Sequence, residues 1–148
     1  EARQRAMEYM DDFGLKGFEK EYPSSLSGGM RQRAAFLRTL LSGNETILLD
    51  EPFGALDALT RGQMQEWILN LYDSLHKTIV LVTHDVDEAM LLCNRVYVLT
   101  ARPGKVKLTQ DIKLPRPRTY ETLTDKQFVG IKAKLLRALR EETQINQL

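Results

Sequence analysis

Apolar positions along the chain change repeatedly from helical to extended spacing. Between residues 2 and 13, Ala6, Met7, Tyr9, Met10 and Phe13 are the apolar members of a stretch with helix-forming composition and no capping residue before it. Gly14 and Gly17 interrupt it, and Tyr22-Pro23-Ser24-Ser25 reads as a turn leading into Leu26-Ser27-Gly28-Gly29. Met30, Ala34, Leu37 and Leu41 then recur at helical spacing until Ser42-Gly43-Asn44, which predicts a helix from about Gly28 to Leu41. Ile47-Leu48-Leu49 is a continuous apolar run closed by Asp50-Glu51-Pro52, the pattern of a strand buried on both faces. Met64, Trp67, Ile68, Leu71 and Leu75 mark one face of a long helix.

Ile79-Val80-Leu81-Val82 predicts a second buried strand, followed by Thr83-His84-Asp85. Asp85 and Glu88 have the spacing of a capping box that opens a helix to about Leu92. Val96 to Leu99 is a third strand, Arg102-Pro103-Gly104 a turn, and Val106 to Ile112 an edge strand. Two prolines make Leu114-Pro115-Arg116-Pro117-Arg118 extended. A last helix spans about Asp125 to Glu142, with Phe128, Ile131, Leu135 and Leu139 on one face. Strands alternating with helices predict an α/β fold whose three central strands form a parallel sheet with right-handed crossovers.

Composition narrows the function classes. The 148 residues suffice for one domain, and 21 Lys and Arg against 20 Asp and Glu leave a net charge of +1. Neither a basic nucleic-acid arm nor an acidic tail fits that balance, and Arg102, Lys105, Lys107, Arg116 and Arg118 read as a scattered, solvated basic set. Hydrophobic residues at 43% and charged residues at 28% match a soluble globular protein. The single cysteine, Cys93, has no internal disulfide partner and reads as a small packing residue; Trp67 reads as core or half-buried on its helix stripe. Two histidines rule out a His-rich metal cluster. No apolar run approaches the roughly 20 residues of a spanning helix, and the first residues do not resemble a signal peptide.

Three places carry candidate chemistry. Ligands of open parallel sheets bind beyond the carboxyl ends of the strands, where the first strand delivers Asp50 and Glu51. Hard carboxylate oxygens suit magnesium, directly or through water, and a second carboxylate suits proton abstraction from an attacking water. His84 ends the second strand on the same sheet edge. Ser27, Gly28 and Gly29 open a helix, where unpaired N–H groups and the positive dipole end attract anions and two glycines permit close approach of a phosphate. Taken singly, each has a plain alternative: a solvated Asp-Glu turn, a capping histidine, an ordinary serine N-cap.

Together, Leu26-Ser27-Gly28-Gly29-Met30-Arg31-Gln32-Arg33, Ile47-Leu48-Leu49-Asp50-Glu51-Pro52, Ala55-Leu56-Asp57 and Thr83-His84-Asp85 resemble the ATP-binding cassette (ABC) ATPases in motif order and spacing. Phe53-Gly54 and Asp85-Val86-Asp87-Glu88-Ala89 resemble the bacterial importer branch. Ala101-Arg102-Pro103-Gly104 and Leu114 to Arg118 are similar to its nitrate, sulfonate and taurine group. The resemblance covers essentially the whole chain. Met30 stands where many relatives have Gln, and Leu37-Arg38-Thr39 replaces the usual Ala-Arg-Ala.

The resemblance implies a part of a P-loop NTPase domain, with a mostly parallel sheet flanked by helices. Residues 1–26 would be the end of a helical subdomain, 27–113 the signature helix and C-terminal part of the ATPase core, and 114–148 an extended linker and C-terminal helix. Ser27, Gly28 and Gly29 match the signature loop that contacts ATP held by the opposite subunit, and Asp57 the loop crossing that dimer interface. Asp50 matches the aspartate that organises Mg2+, Glu51 the base for the hydrolytic water, and His84 the switch histidine on the γ-phosphate. Implied partners are a second ATPase subunit, in a homodimer, and transmembrane permease subunits, with no nucleic acid. The implied location is peripheral, on the cytoplasmic face of the membrane.

No Gly-x-x-x-x-Gly-Lys-Ser/Thr loop occurs, although that loop cradles ATP phosphates. The expectation is therefore a C-terminal part of an importer ATPase, inactive alone, with one sheet face and edge exposed. Two other readings are a noncatalytic module presenting its signature loop to a full-length partner, and a DNA-repair or chromosome ATPase. Missing coiled-coil heptads and the Asp85 to Ala89 pattern oppose the latter.

Overall fold

A computed structural model describes residues 2–145, which form two compact units, one up to Val82 and one from Thr83. In the first, the elements are α1 (Ala2–Tyr9), α2 (Gly28–Leu41), β1 (Thr46–Asp50), α3 (Ala58–Leu75) and β2 (Thr78–Val82). β1 and β2 pair in parallel, with Leu48 opposite Val80 and Asp50 opposite Val82. The expected first helix stops at Tyr9 instead of reaching Phe13. Gly14, at φ +59, turns the chain, and that turn drives Phe13 and Leu15 into a core with Phe36, Leu37, Leu40 and Ile47. Trp67 is half-buried against this core: its ring meets Phe13 and Phe36 edge-on at 4.9 and 5.7 Å, and its Nε1–H donates to Asp12 O at 3.1 Å.

β1 and β2 are not covered on both faces as their apolar runs predict. Ile47 is buried and Leu49 and Ile79 pack on the core, whereas Leu48, Val80 and Val82 are 71, 47 and 54% exposed. Period-two alternation puts these three on the opposite face, which agrees with the expectation of an open sheet face.

The second unit contains α4 (Val86–Leu92), β3 (Arg95–Leu99), β4 (Val106–Asp111) and α5 (Lys126–Ile145). The third predicted strand, β3, has an antiparallel neighbour where a parallel one is expected. It pairs antiparallel with β4, because a short turn closed by Thr100 N–H donating to Lys105 O makes a hairpin. A register shift beyond Val98 leaves Lys107 as the extra residue, and its ammonium ion-pairs with Glu141 and Glu142 of α5. Met90, Val98, Ile112, Leu114, Phe128, Leu135 and Ala138 form the core, so the stripe predicted for the last helix faces inward.

Arg118 corrects the reading of a solvated basic set. It is 3% exposed, and its guanidinium donates to the carbonyls of Met90, Leu91, Cys93, Ile112 and Leu114 at 2.7–3.4 Å. Arg116 donates to Leu92 O and Asn94 Oδ1. These two arginines satisfy the carbonyls left open where α4 ends. Cys93 is half-buried there, and burial pushes its thiol pKa up, as suits a packing residue. Among the described residues no helix is long and apolar enough to cross a membrane.

Candidate functional site

Two helix N-termini meet in the first unit. Ser27 caps α2, its Oγ accepting from Met30 N–H at 3.2 Å, and Asp57 caps α3, its Oδ1 accepting from Thr60 N–H at 3.0 Å. The helices touch at these ends. A Cβ added at Gly28 would lie 3.5 Å from Leu56 Cδ2, and one at Gly29 would lie 3.0 Å from Thr60 Cγ2. Gly29 therefore packs tightly against α3 within the same chain, where a side chain would press on the Thr60 methyl group. Accepting from Met30 leaves the Ser27 hydroxyl its own proton to donate, and the first N–H groups of α2 point the same way, a donor set that fits an anionic phosphate. Thr60, through its hydroxyl and then its N–H, holds the Asp57 carboxyl below the usual range, so Asp57 is anionic at neutral pH.

The two helix starts share one device. Leu26 precedes the cap Ser27 and Arg31 follows four residues later; Leu56, Asp57 and Arg61 repeat the spacing. Arg31 donates back to Leu26 O, and Arg61 donates back to Leu56 O at 3.2 Å, so each arginine folds over the loop that feeds its own helix. Thr60, Arg31 and Arg61 are supporting residues that the motif reading missed. The repeated Leu-cap-x-x-x-Arg spacing was the available signal.

Asp50 and Glu51 stand exposed at the carboxyl end of β1. Glu51 N–H donates to Val82 O at 2.9 Å, tying the end of β1 to the end of β2, and Gly54 N–H donates to Glu51 O at 3.1 Å. Glu51 takes φ +47, a left-handed conformation that costs a non-glycine residue about 1 kcal/mol and here turns the chain sharply before Pro52. Among the described residues no three His, Cys, Asp or Glu side chains cluster as a metal cage. Two neighbouring carboxylates suit Mg2+ whose remaining ligands are water and phosphate oxygens.

His84 belongs to the second unit, exposed in the turn before α4. The expected capping box is half realised: Asp85 Oδ1 accepts from Asp87 and Glu88 N–H at 2.8 and 3.2 Å. Glu88, however, accepts from Thr83 Oγ1 at 2.6 Å, and Thr83 Oγ1 in turn accepts from Asp85 N–H at 3.1 Å. Thr83 takes the place in the box because its hydroxyl reaches both groups, and the two bonds bracket His84. The structure thus brings Ser27, Gly28, Gly29 and Asp57 together, sets Asp50 and Glu51 at the end of β1 in the same unit, and holds His84 in the other.

The ABC transporter family model matches residues 1–54. The dimeric structure of the bacterial ABC transporter cassette MJ0796 superimposes with a TM-score of 0.58 at 33% identity, covering 76% of this chain and 47% of that one. The chain belongs to the ABC transporter ATP-binding protein family. Within it, the chain is similar to the aliphatic sulfonates import ATP-binding protein SsuB of Bacillus cereus, 44% identical over 134 residues, 90% of this chain and 52% of the relative. It is likewise similar to the ABC transporter ATP-binding protein MJ0412 of Methanocaldococcus jannaschii, 46% identical over 137 residues, 93% of this chain and 50% of the relative. The chain thus spans about half the length of the curated relatives it matches.

Proposed function

We propose that this chain supplies the C-terminal part of the ATP-hydrolysing subunit of an importer for small oxyanions of the sulfonate type. The observation that carries the reading is the pair of capped helix starts, Ser27-Gly28-Gly29 and Asp57, packed side by side. Donors gathered at one place suit the γ-phosphate of a nucleotide held by a second subunit, and Asp57 would reach across the same interface. The sulfonate importer relative supports the solute class. A peripheral position on the cytoplasmic face of the membrane, bound to permease subunits, follows from the same reading.

In that role Asp50 would hold Mg2+ through water, and Glu51 would take the proton of the attacking water, its main chain fixed by Val82 and Gly54. His84 donates toward the γ-phosphate from the turn that Thr83 and Asp85 hold. When bound, Mg2+ neutralises phosphate oxygens as charge develops on them. The chain carries no P-loop sequence, so these groups complete a hydrolytic site only with such a loop from the rest of a cassette, and the chain alone is inactive.

Glu51→Gln in the full-length subunit tests the assignment. Removing a general base should lower turnover by about 10²–10⁴-fold while ATP binding persists. Unchanged turnover would remove Glu51 from the base role.

A further inference from the structure

Among the described residues β4 pairs only with β3, so its other edge is open. Bonding alternates along an antiparallel pair, and Ile112 N–H donates to Asn94 O at 2.8 Å, so Gln110 and Leu108 bond inward while the N–H and C=O groups of Thr109 and Asp111 point away from β3, the Asp111 C=O accepting from Gln110 Nε2 at 2.8 Å. Beside that edge lies a cleft of about 460 Å³. Thr109, Gln110, Asp111 and Lys113 form one wall, and Ile131 and Lys134 of α5 belong to the other. Lys134 Nζ donates to Gln110 Oε1 at 2.8 Å, which holds α5 against the strand. Asp111 is already committed to Arg95, whose Nε lies 2.6 Å from its carboxylate. The remaining charges of the walls are the exposed ammonium groups of Lys113 and Lys134.

An open strand edge, an apolar contact at Ile131 and two cations at its flanks specify a ligand. We propose that the outer edge of β4 takes an extended acidic peptide segment of a partner protein as an added strand, with its carboxylates toward Lys113 and Lys134. Main-chain bonds to the N–H and C=O of Thr109 and to the N–H of Asp111 supply the register, and side chains on the face turned toward α5 reach Ile131. Lysines beside an edge discourage pairing with neutral or basic strands, which guards against edge-to-edge aggregation, and the same charges select an acidic one. A small anion would meet the lysines but leave the outward backbone groups to water.

The probe is a seven-residue peptide alternating valine and glutamate, titrated into the isotope-labelled chain and followed by amide resonances. Saturable shifts at Thr109, Asp111 and Lys113 are expected, abolished when alternate peptide nitrogens are methylated. Lys113→Glu with Lys134→Glu should weaken binding about tenfold, because two exposed attractions become repulsions. Absence of shifts at millimolar peptide would overturn the proposal. So would equal binding of the methylated peptide or of a valine-lysine peptide. The same shifts produced by citrate, with no further change on adding peptide, would identify a small-anion site and overturn it equally.

Discussion

A methyl group at position 29 would sit 3.0 Å from Thr60 Cγ2, whereas at position 28 it would meet Leu56 at an ordinary 3.5 Å. The glycine pair that invites a phosphate-loop reading therefore contains two different residues. Gly29→Ala gains helix propensity of up to about 1 kcal/mol but overpacks the contact between α2 and α3, at a cost of about 1–3 kcal/mol. Net destabilisation is expected, measured by denaturant unfolding, and Gly28→Ala should be neutral or mildly stabilising. Adding Thr60→Ser should rescue Gly29→Ala, since serine removes Cγ2 and retains the hydroxyl beside Asp57. Failure of that rescue would show that the close contact is not the cause. Gly28 and Gly29 were legible as a pair; which of them packing requires was not, because Thr60 lies 31 positions away and only folding brings it near.

At the scale of elements, the end of α4 rests on a side chain from a distant extended segment. Arg118 gathers five carbonyls from α4, its exit and the residues after β4. Arg118→Met keeps much of the volume but leaves those buried acceptors without their cation, and about 3 kcal/mol of stability should be lost. Arg102→Met, at an exposed position in the turn after β3, is the control and should change little. Equal unfolding midpoints for the two variants would refute the anchoring role. Helix α2 was readable to the residue because capping, apolar period and stop signals are all local. Arg118 was misread because nothing in Leu114-Pro115-Arg116-Pro117-Arg118 indicates that unsatisfied carbonyls lie against it.

For the whole molecule, the consequential feature is the open face of the β1–β2 pair. Leu48, Val80 and Val82 lie together on it, apolar and accessible, and such a patch promotes association. Sedimentation of the chain should show concentration-dependent self-association that Leu48→Thr with Val80→Thr suppresses, since threonine keeps strand propensity while making the face polar. A monomer at all concentrations would remove the face as a contact. The chain spans about half the length of its curated relatives, and its motifs were recognisable without tertiary structure because each is a short run whose chemistry depends on residue type and spacing. Residue order alone therefore established the family, the helix bearing Ser27, and the strand ending in Asp50 and Glu51. It did not establish that β3 pairs antiparallel with β4, or that one face of an all-apolar strand is open. Partner choice and burial depend on which surfaces meet when the chain folds, and an apolar run reads the same whether its second face is covered or exposed.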